Sequence, residues 1–220
     1  MRDKRELVNW LGLLGVVSFV SYLVAVIFAP TAYPSYDWMS RGVSDLSAGN
    51  APSLALWHQV SSLYVAAGAV CLAAVCIAIK DKLNKALSVG IYLFTIMFSV
   101  SAIGFAIFPL SLSGGYGEAL QDIMHVYVVL PIVVVLSIAS FVMVIIGGFR
   151  KKRFVSIAIC ASVALTLMFV GAIGTAAAPP EYFGVFQRFS NVLSVNGFVA
   201  ALGIYLFMGK LSELSERNVG

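Results

Sequence analysis

Charge is what this sequence has least of. Only 11% of its 220 residues are Asp, Glu, Lys or Arg, against about a quarter in soluble domains, and the mean hydropathy reaches +0.97. Cysteine is scarce as well. Cys71, Cys76 and Cys160 are odd in number and lack metal-ligand spacing, which argues against a disulfide framework or a zinc knuckle; they read as small apolar packing residues. Neither H-E-x-x-H nor G-x-S-x-G occurs, so the zinc-protease helix and the nucleophile elbow have no signature here. The glycines join no strand to a helix, which removes a nucleotide-binding loop.

What is present is apolar length. Six runs, approximately 7–29, 54–79, 86–108, 123–146, 154–177 and 185–208, each reach the roughly 20 apolar residues that cross a bilayer as a helix. They are continuously apolar rather than alternating, as barrel strands would be, and a helix satisfies its own backbone in lipid. The expected fold is therefore all-α, a single domain over residues 1–220 built as a bundle of six transmembrane helices. The first run exceeds the 7 to 15 residues of a signal core and reads as a retained helix. Pro131 falls inside the fourth run and should kink it.

Twelve of the 14 basic residues lie at alternate ends of these runs: Arg2, Lys4, Arg5, Lys80, Lys82, Lys85, Arg150, Lys151, Lys152, Arg153, Lys210 and Arg217. The positive-inside rule puts both termini in the cytoplasm of a protein of the cell membrane. The net charge of +4 then needs no nucleic acid to explain it, because these cations set topology and meet membrane lipids. Oligomeric state is open.

Two basic residues break the pattern, Arg41 and Arg188, and they share the opposite side with the acids Asp37, Asp45, Glu118, Asp122 and Glu181. His58 and His125, the only histidines, open the second and fourth helices on that side. Asp122 and His125 are three apart and share a helix face; His58 is followed at three and four residues by Ser61 and Ser62. Ionisable groups in membrane segments are costly and tend to face the bundle interior. The segment "YPSYDWMSRGVSDLSAGNAP", residues 33–52, is longer than the usual helix connection of about 2–8 residues. Its aromatic and aliphatic content argues against disorder. We expect it to fold back over the bundle as a lid, with Ser40 or Ser44 capping a short helical turn and Asp45 placed near His58, His125 and Arg188.

These motifs resemble the prokaryotic membrane proteins of domain-of-unknown-function family 998. The likeness rests on the Val43-Ser44-Asp45-Leu46 core and Ala51-Pro52 ending of that segment, on "IGFAIFP", on the histidine of "QDIMHVY" and on the arginine of "GVFQRFSNVL". Ser47 stands where the family pattern commonly has Gly. The resemblance implies a six-helix membrane protein and marks Asp45, His125 and Arg188 as the family's polar positions, without implying an activity.

Several functions fit. The preferred one is binding of a lipid-like or small polar ligand in an outward-facing pocket, with Arg188, Asp45, His125 and Arg41 as ligand-binding residues and Arg188 and Arg41 pairing an anionic headgroup. The alternative is a membrane-embedded hydrolase or transferase acting on an amphiphile, with candidates Asp45, His58, Asp122, His125 and Ser44. In it, zinc could sit on His58, His125 and Asp122, or Ser44 could act as nucleophile with a histidine as base. Two further readings are a purely structural ion-pair network and a haem protein with His58 and His125 as axial ligands.

Overall fold

A computed structural model describes residues 6–80, 82–111 and 119–211. Arg2, Lys4, Arg5, Glu118 and Arg217, which the sequence places in topology or outer-face roles, lie outside the described residues. Among those described there is no strand, and six helices are long and apolar enough to cross a membrane: α1 (Leu7–Ala32), α2 (Leu54–Ile79), α3 (Lys85–Ile107), α4 (Leu120–Phe149), α5 (Lys152–Ala177) and α6 (Pro180–Phe207). This is a multi-pass membrane protein. The bounds follow the hydropathy runs to within three residues except at the start of α6, which begins five residues earlier. For α6 the reason is local: Pro180 opens a 3-10 turn, Pro180–Tyr182, where a fixed φ and a missing N–H cost nothing, and the polar Glu181 hides that turn from hydropathy.

Alternation of six spans puts both ends of the chain at one end of the bundle. There the Asn9 amide donates to the Leu206 carbonyl at 2.8 Å, and Trp10 packs edge-on against Phe207 at 5.2 Å. Lys80, Lys82, Lys85, the 150–153 cluster and Lys210 belong to this terminal end; Arg41 and Arg188 belong to the opposite, loop end. Bilayer lipid gives helices no hydrophobic reason to associate, so close approach and polar contacts must hold them. Gly12 of α1 lies against Gly203 of α6 so closely that a Cβ would collide with backbone. Ser18 and Ser21 of α1 donate to the carbonyls of Tyr64 and Val60 of α2. The Asn84 amide donates to the Gly147 carbonyl at 2.9 Å, tying the start of α3 to α4. At mid-bundle Phe94, Phe141 and Phe198 form a three-ring cluster with centroids 5.0 to 5.7 Å apart, each pair adding about 0.5–1.5 kcal/mol beyond its area.

Two helices depart from α geometry at the loop end. In α4 a π-helical segment, Met124–Val129, runs up to Leu130, just before Pro131. A proline has no N–H to donate and its ring crowds the carbonyl four residues back; the wider π turn relieves that crowding. Pro131 thus accompanies a change of helix type. In α6 a longer π segment spans Phe189–Asn196, where the Asn196 amide reaches the Asn191 carbonyl at 3.2 Å and enters the backbone ladder, a known cause of helix distortion.

The 33–52 segment crosses the loop end and is fastened on both sides. Toward α6, Gly184 N–H donates to Met39 O at 2.7 Å, and Gly184 is so close to the carbonyl of Trp38 that no Cβ would fit. Toward α3, Gly49 N–H donates to Leu110 O at 2.7 Å, and Tyr33, Leu46, Ala48 and Ala51 bury against Leu110 and Ala29. Between these fastenings lies a 3-10 turn, Val43–Ser47. Its start is closed by Asp45, not by Ser40 or Ser44: the Asp45 carboxylate accepts the Gly42 N–H at 3.1 Å.

Candidate functional site

Beneath that 3-10 turn lies a cavity of about 640 Å³, within the ~300–1,000 Å³ range of small-molecule sites. α2 and α3 meet toward the terminal end, where the Cys76 sulfur approaches the Thr95 hydroxyl at 3.3 Å, and at mid-bundle, where the Tyr64 ring packs on Phe98 at 5.6 Å. Tyr64 and Phe98 line its inner part. Above them the walls are His58, Ser61 and Ser62 of α2, Ser101 and Phe105 of α3, His125 and Val126 of α4, and Gln187 and Asn191 of α6. On each helix the lining residues recur at three and four, the spacing of a single face. Val43, Ser44 and Ser47 supply the roof.

His125 is held by its position in the π segment. Its Nδ1 lies 2.7 Å from the Phe108 carbonyl, which can only accept, so Nδ1 carries the hydrogen and Nε2 of the neutral ring keeps its lone pair. Phe105 covers one face of the ring at 4.5 Å. Gln187 is fixed in the same manner: its Oε1 accepts the Val43 N–H at 2.6 Å, so its amide N–H groups are the donors left over. The Ser44 carbonyl accepts from Ser47, while its hydroxyl has no partner among the described residues. His58 and Ser62 are exposed and mark a mouth between α2 and α3.

The candidate residues therefore separate into two groups. Ser44, His58 and His125 line the cavity; Asp45, Asp122, Arg41 and Arg188 do not. Arg188 turns toward the crossing segment and donates to the carbonyls of Trp38 at 2.7 Å, Arg41 at 3.1 Å and Gly184 at 2.6 Å, and to the Tyr36 hydroxyl at 2.7 Å. Arg41 donates to the Tyr33 hydroxyl at 2.5 Å. Asp122, 1% exposed, accepts from the Ser111 N–H at 2.6 Å and from its hydroxyl. Asp122 and His125 do share a face, and they use it to clamp the 108–111 exit of α3. Among the described residues no group of three or more His, Cys, Asp or Glu side chains is placed to hold a metal ion, and His58, His125 and Asp122 do not form one.

Two side chains that matter were not singled out from sequence. Gln187 is the residue before Arg188 in the family motif, and its neighbour's charge drew the attention. Tyr36 reads as one more interfacial aromatic, yet its hydroxyl donates to Gly42 O at 2.9 Å and receives Arg188. Outside the membrane spans, burial raises the Tyr36 phenol above its ordinary value of 10.0, with Arg188 opposing, and the Ser40 hydroxyl and Met39 N–H hold Asp37 below the usual carboxylate range.

The family described as "protein of unknown function (DUF998)" matches residues 16–205. No curated protein and no solved structure matches the chain.

Proposed function

The chain belongs to the DUF998 family, which carries no assigned activity, and from that premise and the cavity we propose that it binds an amphiphilic ligand drawn from the membrane. The protein sits in the cell membrane with its termini and basic loops in the cytoplasm, the arrangement the positive-inside rule favours, and the crossing segment acts as the lid of an outward pocket. The observation that carries this reading is a largely apolar, ligand-sized space with a few convergent polar side chains, the usual character of a binding site. The position of its mouth between two membrane helices suits a ligand that arrives from lipid.

The test is native mass spectrometry of protein extracted in mild detergent. We expect a co-purified lipid on the wild type and its loss when Ser101→Trp fills the cavity. An empty wild type, or an equally loaded plugged variant, overturns the proposal. Ser44 sharing a cavity with both histidines favours a second reading, transfer or hydrolysis of an acyl group with Ser44 as nucleophile. Release of free acyl product by wild type and not by Ser44→Ala would distinguish it from binding alone.

A further inference from the structure

The polar complement of the cavity specifies its ligand more narrowly, given that the cavity binds an amphiphile at all. We infer that the ligand is an uncharged, single-chain amphiphile whose head presents a hydroxyl group, and that it enters sideways between α2 and α3. A charged head needs a counter-charge in so apolar a space, because an unpaired ion there is expensive. None of the described lining residues is Asp, Glu, Lys or Arg. The two guanidinium groups of the loop end are committed elsewhere, Arg188 to three backbone carbonyls and Tyr36, and Arg41 to Tyr33.

The polar groups that line the space include a lone pair on His125 Nε2, spare amide hydrogens on Gln187 and the Ser44 hydroxyl, unengaged among the described residues, with the His58 imidazole and the Ser61 and Ser62 hydroxyls toward the mouth. Acceptors and donors lining one space match a group that both gives and receives a hydrogen bond, which a hydroxyl does and an ester or hydrocarbon does not. Below this set the walls are Val126, Leu130, Val133, Met97 and Phe98, which suit one chain. A volume of about 640 Å³ is that of a compact ligand, small for a two-chain phospholipid. The entrance is read from exposure. His58 and Ser62 are exposed while lining the cavity, and Val65, one turn further in, is 40% exposed. Ser62 lies eight residues into α2, about 12 Å along it, within reach of acyl chains.

Trp57 borders the cavity and reports the test. In full-length protein carrying Trp10→Phe and Trp38→Phe, brominated monooleoylglycerol, brominated oleate and brominated oleoyl lysophosphatidate are each titrated and Trp57 quenching is followed. We expect saturable quenching by monooleoylglycerol, with the two anions at least tenfold weaker. His125→Ala and Ser44→Ala should each weaken monooleoylglycerol binding about fivefold, the loss of one hydrogen bond. Ser44→Ala guards against a folding artefact, because its hydroxyl holds no other residue among those described. Equal or tighter binding of either anion, or unchanged affinity in both variants, overturns the inference while the amphiphile-binding reading stands. Absence of saturable quenching by all three probes overturns both.

Discussion

Arg188 shows how a half-buried cation of a membrane helix can be structural through backbone acceptors rather than through a hydrogen-bonded acid among the described residues. Its guanidinium gathers three carbonyls and a phenol from the crossing segment and α6, using the planar fork that lysine lacks. Arg188→Ala leaves those acceptors unfilled and should cost about 2–3 kcal/mol, whereas Lys151→Ala at the terminal end should stay within about 0.5 kcal/mol; thermal unfolding in detergent compares them. Arg188→Lys should recover only part of the loss. Tyr36 answers Arg188 and adds a pH dependence. Its folded pKa is raised, so the folded protein keeps a proton that the unfolded chain releases. The resulting stability is whole below about pH 10 and is lost as pH rises through the folded value. Above that pH the wild type should lose thermal stability faster than Tyr36→Phe, and parallel losses would refute the assignment.

At the scale of elements, the π segments of α4 and α6 are what distinguish this bundle from six plain helices. Met124–Val129 sets the direction of His125, and Phe189–Asn196 begins one residue after Arg188. An extra residue per turn rotates everything before it by roughly 100° relative to an α-helix, and such segments recur at functional sites. Pro131→Ala restores a backbone donor and permits regular α geometry. The expected outcome is a gain of about 1 kcal/mol in stability with weaker ligand binding as His125 turns from the cavity; thermal unfolding and the Trp57 titration read the two effects. Unchanged binding would separate the π segment from the site.

For the whole molecule, the two ends of the bundle have different work. The terminal end carries the described lysines and the 150–153 cluster, and its helices meet through glycines and aromatic rings. At the loop end the cavity lies among α2, α3, α4 and α6 beneath the crossing segment. The proposed topology is open to direct measurement. With Cys71, Cys76 and Cys160 unpaired inside helices, a Trp38→Cys variant should react with an impermeant maleimide in intact cells and a Lys151→Cys variant only after lysis. The reverse pattern would invert the protein in its membrane.

The number of helices, their approximate ends and the segregation of basic residues were legible in the sequence, because bilayer thickness and the cost of bare backbone in lipid act on each segment by itself. The region of interest was legible too: Ser44, His58 and His125 do face one space. The early start of α6 was not, because Glu181 lowers the hydropathy of its first turn. Which polar groups face the ligand was decided only by tertiary structure. Charge drew attention to Arg188, Asp45 and Asp122, but a buried charge is best satisfied by fixed backbone dipoles, and the fold supplies these in the crossing segment and at the α3 exit. The neutral side chains, Gln187 above all, were left to face the cavity, and no pattern along the chain records which residue a neighbouring segment will claim.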